Sequence, residues 1–133
     1  MTKKLLFLIL LGILCLGMAT PGGLMPGAPV TDRLFRATVI DQSDNSYQVQ
    51  NISVEGATHL PARTGNARAS VDFGKISTVR FYQQDEEVLV RVIFIDNQER
   101  DFYIQPETVF LGQTDWGGLS FQARDIKEIS FKR

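Results

Sequence analysis

Few residues of this chain could carry out chemistry, and their spacing excludes most familiar arrangements. His59 is the single histidine. A Ser–His–Asp triad would need it, yet no Gly-x-Ser-x-Gly nucleophile elbow occurs in the sequence. The single cysteine, Cys15, lies in an apolar N-terminal run. We therefore expect neither thiolate catalysis nor a zinc site built from cysteine and histidine.

Two oxygen-rich segments are candidates for calcium binding, Asp41–Asn45 and Asp96–Asp101. Neither has the loop glycine or the terminal glutamate of an EF-hand. Both are typical of polar hairpin turns, so we expect no metal and no other cofactor. Carboxylates alone can hydrolyse glycosidic bonds, but the assignment needs a measured separation. A small carboxylate-dependent glycan hydrolase is therefore an alternative, and the favoured prediction is that the protein is not an enzyme.

The residues best suited to binding are an exposed-looking tryptophan and a basic segment. Trp116 precedes Gly117-Gly118 at a tight turn. There it can contact a sugar or peptide, or fold back over the open end of its own barrel, which is the favoured interpretation because tryptophan is usually well buried. His59, Arg63 and Arg68 lie in the other candidate segment. The two arginines offer fork-shaped donors for carboxylate or phosphate, whereas His59 alone is typical of an ordinary surface histidine.

An internal repeat must position these residues. Arg36–Asp41 aligns with Arg91–Asp96, and a second block aligns Ile76 with Ile126 and Phe81 with Phe131. The alignment puts Arg36 and Arg91 at equivalent strand positions. The spacing falls from 55 to 50 between the two blocks, which predicts five extra residues in the first copy between Gly56 and Ser70. Such a repeat indicates the architecture before any single residue is interpreted.

The fold predicted from this pattern is all-β, with eight to ten short strands and no long helix. One unit of some forty-five residues is marginal alone, so two copies sharing a core are favoured. We predict one domain over residues 34–133, made of repeats 34–84 and 88–133. It would be a small barrel or two-sheet sandwich with pseudo-twofold symmetry; two tandem SH3-like barrels are the alternative.

The N-terminal residues predict export. Lys3 and Lys4 precede the apolar run Leu5–Leu16, and Gly17-Met18-Ala19 supplies small residues at a cleavage site. We predict a signal peptide over residues 1–19, with an uncleaved anchor as the alternative. Residues 20–33, rich in proline and glycine, are expected to form a flexible linker. Removing both lysines leaves twelve basic against fifteen acidic residues, which argues against nucleic-acid binding.

A resemblance covers about the last quarter of the chain. Phe110–Gly117 followed by Ile126-x-x-Ile129-x-Phe131 resembles small exported bacterial β modules of unknown activity. They share a Gly-x-Thr-x-aromatic-Gly turn and an Ile-x-x-Ile ending. The resemblance implies an exported β module and no particular reaction.

The sequence therefore favours a non-catalytic binding or assembly module of the bacterial cell envelope, periplasmic or secreted. Its partner would be another envelope protein or a glycan, contacted through His59, Arg63, Arg68 or Trp116. Besides the hydrolase, a structural oligomer formed by edge-strand pairing is an alternative. A long uncovered edge strand would favour the oligomer.

Overall fold

The computed structural model describes residues 34–132, which form ten antiparallel β-strands in a single curled, half-barrel sheet. No α-helix occurs among these residues. The predicted signal peptide (residues 1–19), the predicted linker (residues 20–33) and Arg133 lie outside the described residues. The strands are β1 (Arg36–Asp41), β2 (Ser46–Val54), β3 (His59–Thr64), β4 (Ala67–Asp72), β5 (Ile76–Gln83), β6 (Val88–Phe94), β7 (Glu99–Ile104), β8 (Val109–Thr114), β9 (Gly117–Gln122) and β10 (Ile126–Lys132). Short 3₁₀ turns, Phe73–Lys75 and Ala123–Asp125, precede β5 and β10.

Alternation of apolar residues selects the strands and gives the sheet one buried face. In β6, Val88, Val90 and Val92 are fully buried, and the residues between them are partly exposed. Because successive side chains of a strand point to opposite faces, this period of two places the valines on the core face. We call the opposite face of the sheet the outer face. The predicted all-β fold with short strands is confirmed.

Strand order reveals the pseudo-twofold symmetry. The order across the sheet is β4-β3-β7-β6-β5-β10-β1-β2-β8-β9. Exchanging each strand for its counterpart in the other copy, β1 for β6 through β5 for β10, reverses this order. The symmetry axis passes through the β5–β10 junction, where Val79 is paired with Ile129. Both copies thus have the same fold, as the repeat predicts.

The two copies exchange strands instead of folding separately. In one half of the sheet, β6 and β7 of the second copy lie between β3 and β5 of the first. In the other half, β1 and β2 of the first copy lie between β10 and β8 of the second. Tandem barrels, each made from one copy, are therefore not formed. The buried apolar residues of both copies belong to one core cluster.

The pairing register corrects the alignment of the first strands. Val39 is paired with Ile129, and Val92 is paired with Val79. Since Val79 and Ile129 are counterparts, Val39 corresponds to Val92, two residues from the position expected. Arg36 therefore corresponds to Leu89, and the equivalence of Arg36 and Arg91 is wrong. A slip of two residues leaves every side chain on the correct face, so alternation alone cannot detect it.

The first copy has three additional residues and not the predicted five, because the spacing is 53 from Val39 to Val92 and 50 from Arg63 to Gln113. The additional residues are also not where the sequence placed them. Hairpins β3–β4 and β8–β9 have strands of the same length, six residues each. The difference lies earlier, because β2 has nine residues and β7 has six. A register shift between Gln50 and Ser53, with Asn51 at a φ of 54°, takes up part of the extra length. A tight turn at Glu55-Gly56 takes up the rest; both residues have positive φ, which suits glycine at the second position.

The residues that close each copy pack in the core as predicted. Ile76 and Ile126 are both 0% exposed, and Phe81 and Phe131 are buried. The backbone around them is equivalent too, because Phe73 N–H donates to Thr58 O as Ala123 N–H donates to Thr108 O. The equivalent burial and backbone hydrogen bonds of the two endings show that both copies have the same fold there.

Candidate functional site

The β3–β4 hairpin brings two arginines and a tyrosine onto the outer face. Arg63 of β3 is paired with Arg68 of β4 on one side and with Tyr103 of β7 on the other. Residues directly opposite each other in antiparallel strands point to the same face of the sheet. The three side chains therefore form a row across three strands, with Arg63 in the middle.

Arg63 is held in place by three neighbours. One terminal nitrogen, Nη2, lies 2.6 Å from Oε1 of Glu87, and Nη1 donates to Gly65 O at 2.7 Å. The guanidinium carbon lies 5.1 Å from the centre of the Tyr103 ring, within the range of a cation–π interaction. Arg63 is thus largely satisfied within the chain and has a fixed position.

Arg68 is the available cation of the row. Its side chain is exposed, and within residues 34–132 no hydrogen bond or ion pair is assigned to it. It lies directly opposite Arg63, and like charges in that position destabilise a strand pair. A bound anion would relieve this repulsion and accept the free guanidinium donors.

These residues line a cleft of about 570 Å³, which we call the arginine cleft. Two carboxylates, Glu55 and Glu87, also lie in it, and Glu87 is the one bonded to Arg63. The apolar part of the lining suits an aliphatic or peptide segment and the cationic part an anionic group. The lining residues are Glu55, Pro61, Ala62, Arg63, Arg68, Ala69, Glu87, Tyr103, Ile104, Gln105 and Thr108.

The other two predicted site residues lie outside this cleft. His59 begins β3, is exposed, and has Nδ1 2.8 Å from Oγ of Ser70. Trp116 lies in the β8–β9 turn, in the other half of the sheet, and is 72% exposed. The expectation that Trp116 folds back over the open end of its own barrel is therefore wrong. The structure brings Arg63 and Arg68 together and leaves His59 and Trp116 apart from them.

The symmetry provides an uncharged version of the same cleft. This counterpart cleft, of about 400 Å³, is lined by Asn51, Ser53, Leu111, Gly112, Gln113, Gly118, Leu119 and Ser120. Gln113 occupies the position of Arg63, and Gly118 occupies that of Arg68. Gln113 accepts a hydrogen bond from Asn51 Nδ2 at 2.8 Å. Equivalent hairpins thus carry two arginines, beside Glu55 and Glu87, in one half and a cleft without charged residues in the other.

A third groove, of about 730 Å³, lies beside the β5–β10 junction, and its charged residues are already paired. Arg80 Nε is 3.2 Å from Oε1 of Glu128, and Lys127 Nζ is 2.7 Å from Oδ1 of Asp44. Gln42 Nε2 donates to Ile126 O at 2.8 Å. A ligand would have to replace these contacts, so this groove is less suited to binding than the arginine cleft.

The β1–β2 turn is organised by one carboxylate. Asp41 accepts hydrogen bonds from the backbone N–H of Asn45 and of Ser43, both at 2.9 Å, and from the Tyr47 hydroxyl at 3.0 Å. The bond from the Asn45 backbone is the main cause that lowers the pKa of Asp41. The bond to Asp41 raises the pKa of Tyr47. This oxygen-rich segment thus has a structural role in closing a hairpin, as polar turn residues commonly do.

Within residues 34–132, no group of three or more histidine, cysteine, aspartate or glutamate side chains is placed to hold a metal ion. In the same part of the chain, no helix is long and apolar enough to cross a membrane.

Sequence reasoning missed Glu87 and Tyr103, which fix the position of Arg63. Glu87 ends the β5–β6 turn, where its carbonyl accepts a hydrogen bond from the Gln84 N–H, and its carboxylate is bonded to Arg63. Tyr103 comes from the other copy, and strand exchange brings it beside β3. The pairing of β3 with β7 has no local sequence signal. Only the topology could have identified either residue.

Comparison with known proteins gives a family and one distant relative. A family model described as "Uncharacterised protein" matches residues 31–133. A protein of Aquifex aeolicus (strain VF5), described as "Uncharacterized protein", is 22% identical over 132 residues, which cover 98% of this chain and 97% of the relative. No solved structure matches significantly. Since the family model spans the whole double-repeat domain, this chain belongs to the family described as "Uncharacterised protein".

Proposed function

We propose that this protein is a non-catalytic binding or assembly module of the bacterial cell envelope, and that its arginine cleft binds an acidic segment of another envelope protein. The observation that carries the proposal is the available cation Arg68, set beside the fixed Arg63–Tyr103 pair in an open cleft. A carboxylate placed there accepts charge-assisted hydrogen bonds. The order of charged, apolar and small residues in Met1–Ala19 supports export.

The neutral counterpart cleft supports this assignment. Strand lengths and pairing are the same in the two hairpins, so the fold itself does not require arginine at positions 63 and 68. Gly118 occupies the position of Arg68 in the other half, and binding accounts for an exposed cation at position 68. Loops and hairpins on a rigid scaffold commonly carry such specificity.

The test is a quantitative pull-down from envelope extract with three baits, each purified as the exported protein from cells expressing the full chain. The baits are the wild type, Arg68→Ser and Arg36→Ser. Arg36 is the matched control, because it is also an exposed outer-face arginine but lies in the other half of the sheet. A hydrogen bond to a charged group contributes about 1.5–3 kcal/mol, so Arg68→Ser should weaken the complex about tenfold or more.

The expected result is an envelope protein recovered with the wild type and Arg36→Ser but lost with Arg68→Ser, and released by raised salt. Equal recovery of the envelope protein with all three baits would show that the arginine cleft is not its binding site. N-terminal sequencing of the same purified bait tests export, because signal cleavage should leave Thr20 as the first residue. A bait that begins at Met1 would show that the N-terminal segment is an anchor.

A further inference from the structure

The strand β9, outermost in the half of the sheet that holds the counterpart cleft, has a free edge. Among residues 34–132, β9 is paired only with β8, and its other side has no strand beside it. Natural proteins usually block such edges with charged side chains, proline or a bulge, because unpaired backbone groups invite another strand. From Gly117 to Gln122, β9 has no charged residue, no proline and no register shift. Its edge is therefore open to pairing.

The corresponding edge strand in the other half is different. β4 carries Arg68 at the position of Gly118 and Asp72 at the position of Gln122. The Asp72 carboxylate accepts the N–H of Gly74 at 2.8 Å and closes the following 3₁₀ turn. Of the two edges, β4 is the one that has blocking charges.

Residues flanking β9 suit a second copy of the same chain. In an antiparallel pairing of two β9 strands centred on Ser120, the start of one strand meets the end of the other, so that Trp116, in the turn before β9, comes near Arg124, in the 3₁₀ turn after β9 of the other copy. Trp116 is 72% exposed, and the Arg124 side chain is 52% exposed although its Nη2 lies 3.6 Å from Oε2 of Glu107. A tryptophan face beside a guanidinium is a favourable cation–π arrangement, and the twofold would form it twice.

We propose that the β9 edge is a homodimerisation surface, at which two copies pair antiparallel and continue one sheet into the next. Both backbone edges are then satisfied by one isologous contact, and each Trp116 approaches the partner's Arg124. This surface lies at the opposite end of the sheet from the arginine cleft and is independent of the proposed ligand. A dimer built this way leaves both arginine clefts free.

The test compares two serines at equivalent positions of the two edges. Ser120 of β9 is paired with Leu111, and Ser70 of β4 with Pro61; both serines are exposed. Ser120→Lys places two lysines across from each other at the centre of the proposed dimer. Sedimentation of the exported protein over a range of concentrations should give a dissociation constant at least about tenfold higher for Ser120→Lys and unchanged for Ser70→Lys.

Gly118→Arg is a second variant, which gives β9 the residue that β4 has at the equivalent position. A side chain fits there in the folded chain, because the nearest atom to the added Cβ is Gly112 O at 3.9 Å. Weakened dimerisation is expected, with an unfolding midpoint equal to that of the wild type at concentrations where both proteins are monomeric. If Ser120→Lys does not fold, Gly118→Arg is the variant that decides the test.

Fluorescence gives a separate reading, since Trp116 is the single tryptophan. Its emission should move to shorter wavelength as the wild type dimerises, and should not move in Ser120→Lys. A wild type that stays monomeric at all concentrations, or a dimer unaffected by either β9 variant, would overturn the proposal. A dimer lost only in Ser70→Lys would place the interface on β4 and overturn it equally.

Discussion

The arginine cleft and the counterpart cleft are built on equivalent hairpins, β3–β4 and β8–β9, that differ in most of their outer-face side chains. Arg63 stands over Tyr103 in the first, while Gln113 lies beside Asn51 in the second. The core endings of the two copies are alike by contrast, because Ile76 and Ile126 are the same residue and both are fully buried. The comparison separates the side chains that specify the fold from those that are free to acquire a function.

The largest expected effect tests the equality of the two cores. Ile76→Ala and Ile126→Ala each remove a fully buried side chain at equivalent positions. Each should lower the free energy of unfolding by about 2–5 kcal/mol, because a cavity remains after truncation. Urea denaturation of both variants is the measurement. A large cost at one position and a negligible cost at the other would show that the halves are not energetically equivalent.

A smaller effect should distinguish the halves through the close packing of one glycine. A Cβ added at Gly112 would lie 2.8 Å from Val49 Cβ and 3.1 Å from its Cγ1, whereas the equivalent position in β3 already holds Ala62. Gly112→Ala should therefore cost about 1–3 kcal/mol through overpacking. The same urea titration measures it. A neutral result would mean that β8 shifts away from β2 at little cost, since Val49 is the obstacle.

The smallest expected effect concerns a surface pair that differs between the halves. Arg91 forms a bidentate ion pair with Asp101, at 2.9 and 3.2 Å. The equivalent positions hold a neutral hydrogen bond from Thr38 Oγ1 to Gln48 Oε1 at 3.1 Å. Both members of the ion pair are substantially exposed. Asp101→Asn should therefore destabilise the protein less than Gly112→Ala does. High salt should reduce the loss of stability caused by Asp101→Asn, because it screens the ion pair in the wild type.

The same pair predicts the direction of a pH effect. The hydrogen bond from Arg91 is the main cause that lowers the pKa of Asp101 from its ordinary value of 3.8. A carboxylate with a lowered pKa in the folded state stabilises above the ordinary value and loses that contribution as pH falls through the lowered one. Below about pH 4, wild type and Asp101→Asn should therefore converge in stability. Equal free energies of unfolding for the wild type and Asp101→Asn at neutral pH would show that the ion pair does not contribute to stability.

Sequence reasoning recovered the strands because burial imposes a period of two, visible in β6 and in the shared endings of β5 and β10. It misplaced the first strands by two residues for the same reason, since Arg36 and Arg91 lie on the outer face in either alignment. Arg63 and Arg68 could be proposed from residue type alone. Their neighbours Glu87 and Tyr103 could not, because a turn and a strand from the other copy bring them to the cleft.

Strand exchange also has a consequence for how the chain folds during synthesis. Hairpin β1–β2 leaves the ribosome first, yet both of its neighbours in the sheet, β10 and β8, come from the second copy. Arg36 of β1 is paired with Lys132 of β10, so β1 gains its second neighbour only after β10 has been synthesised. Pairing over such long sequence separation slows folding, because loop-closure entropy is lost before the contacts form. The sheet around β1 and β2 therefore stays incomplete during synthesis until β8 and β10 have both been made.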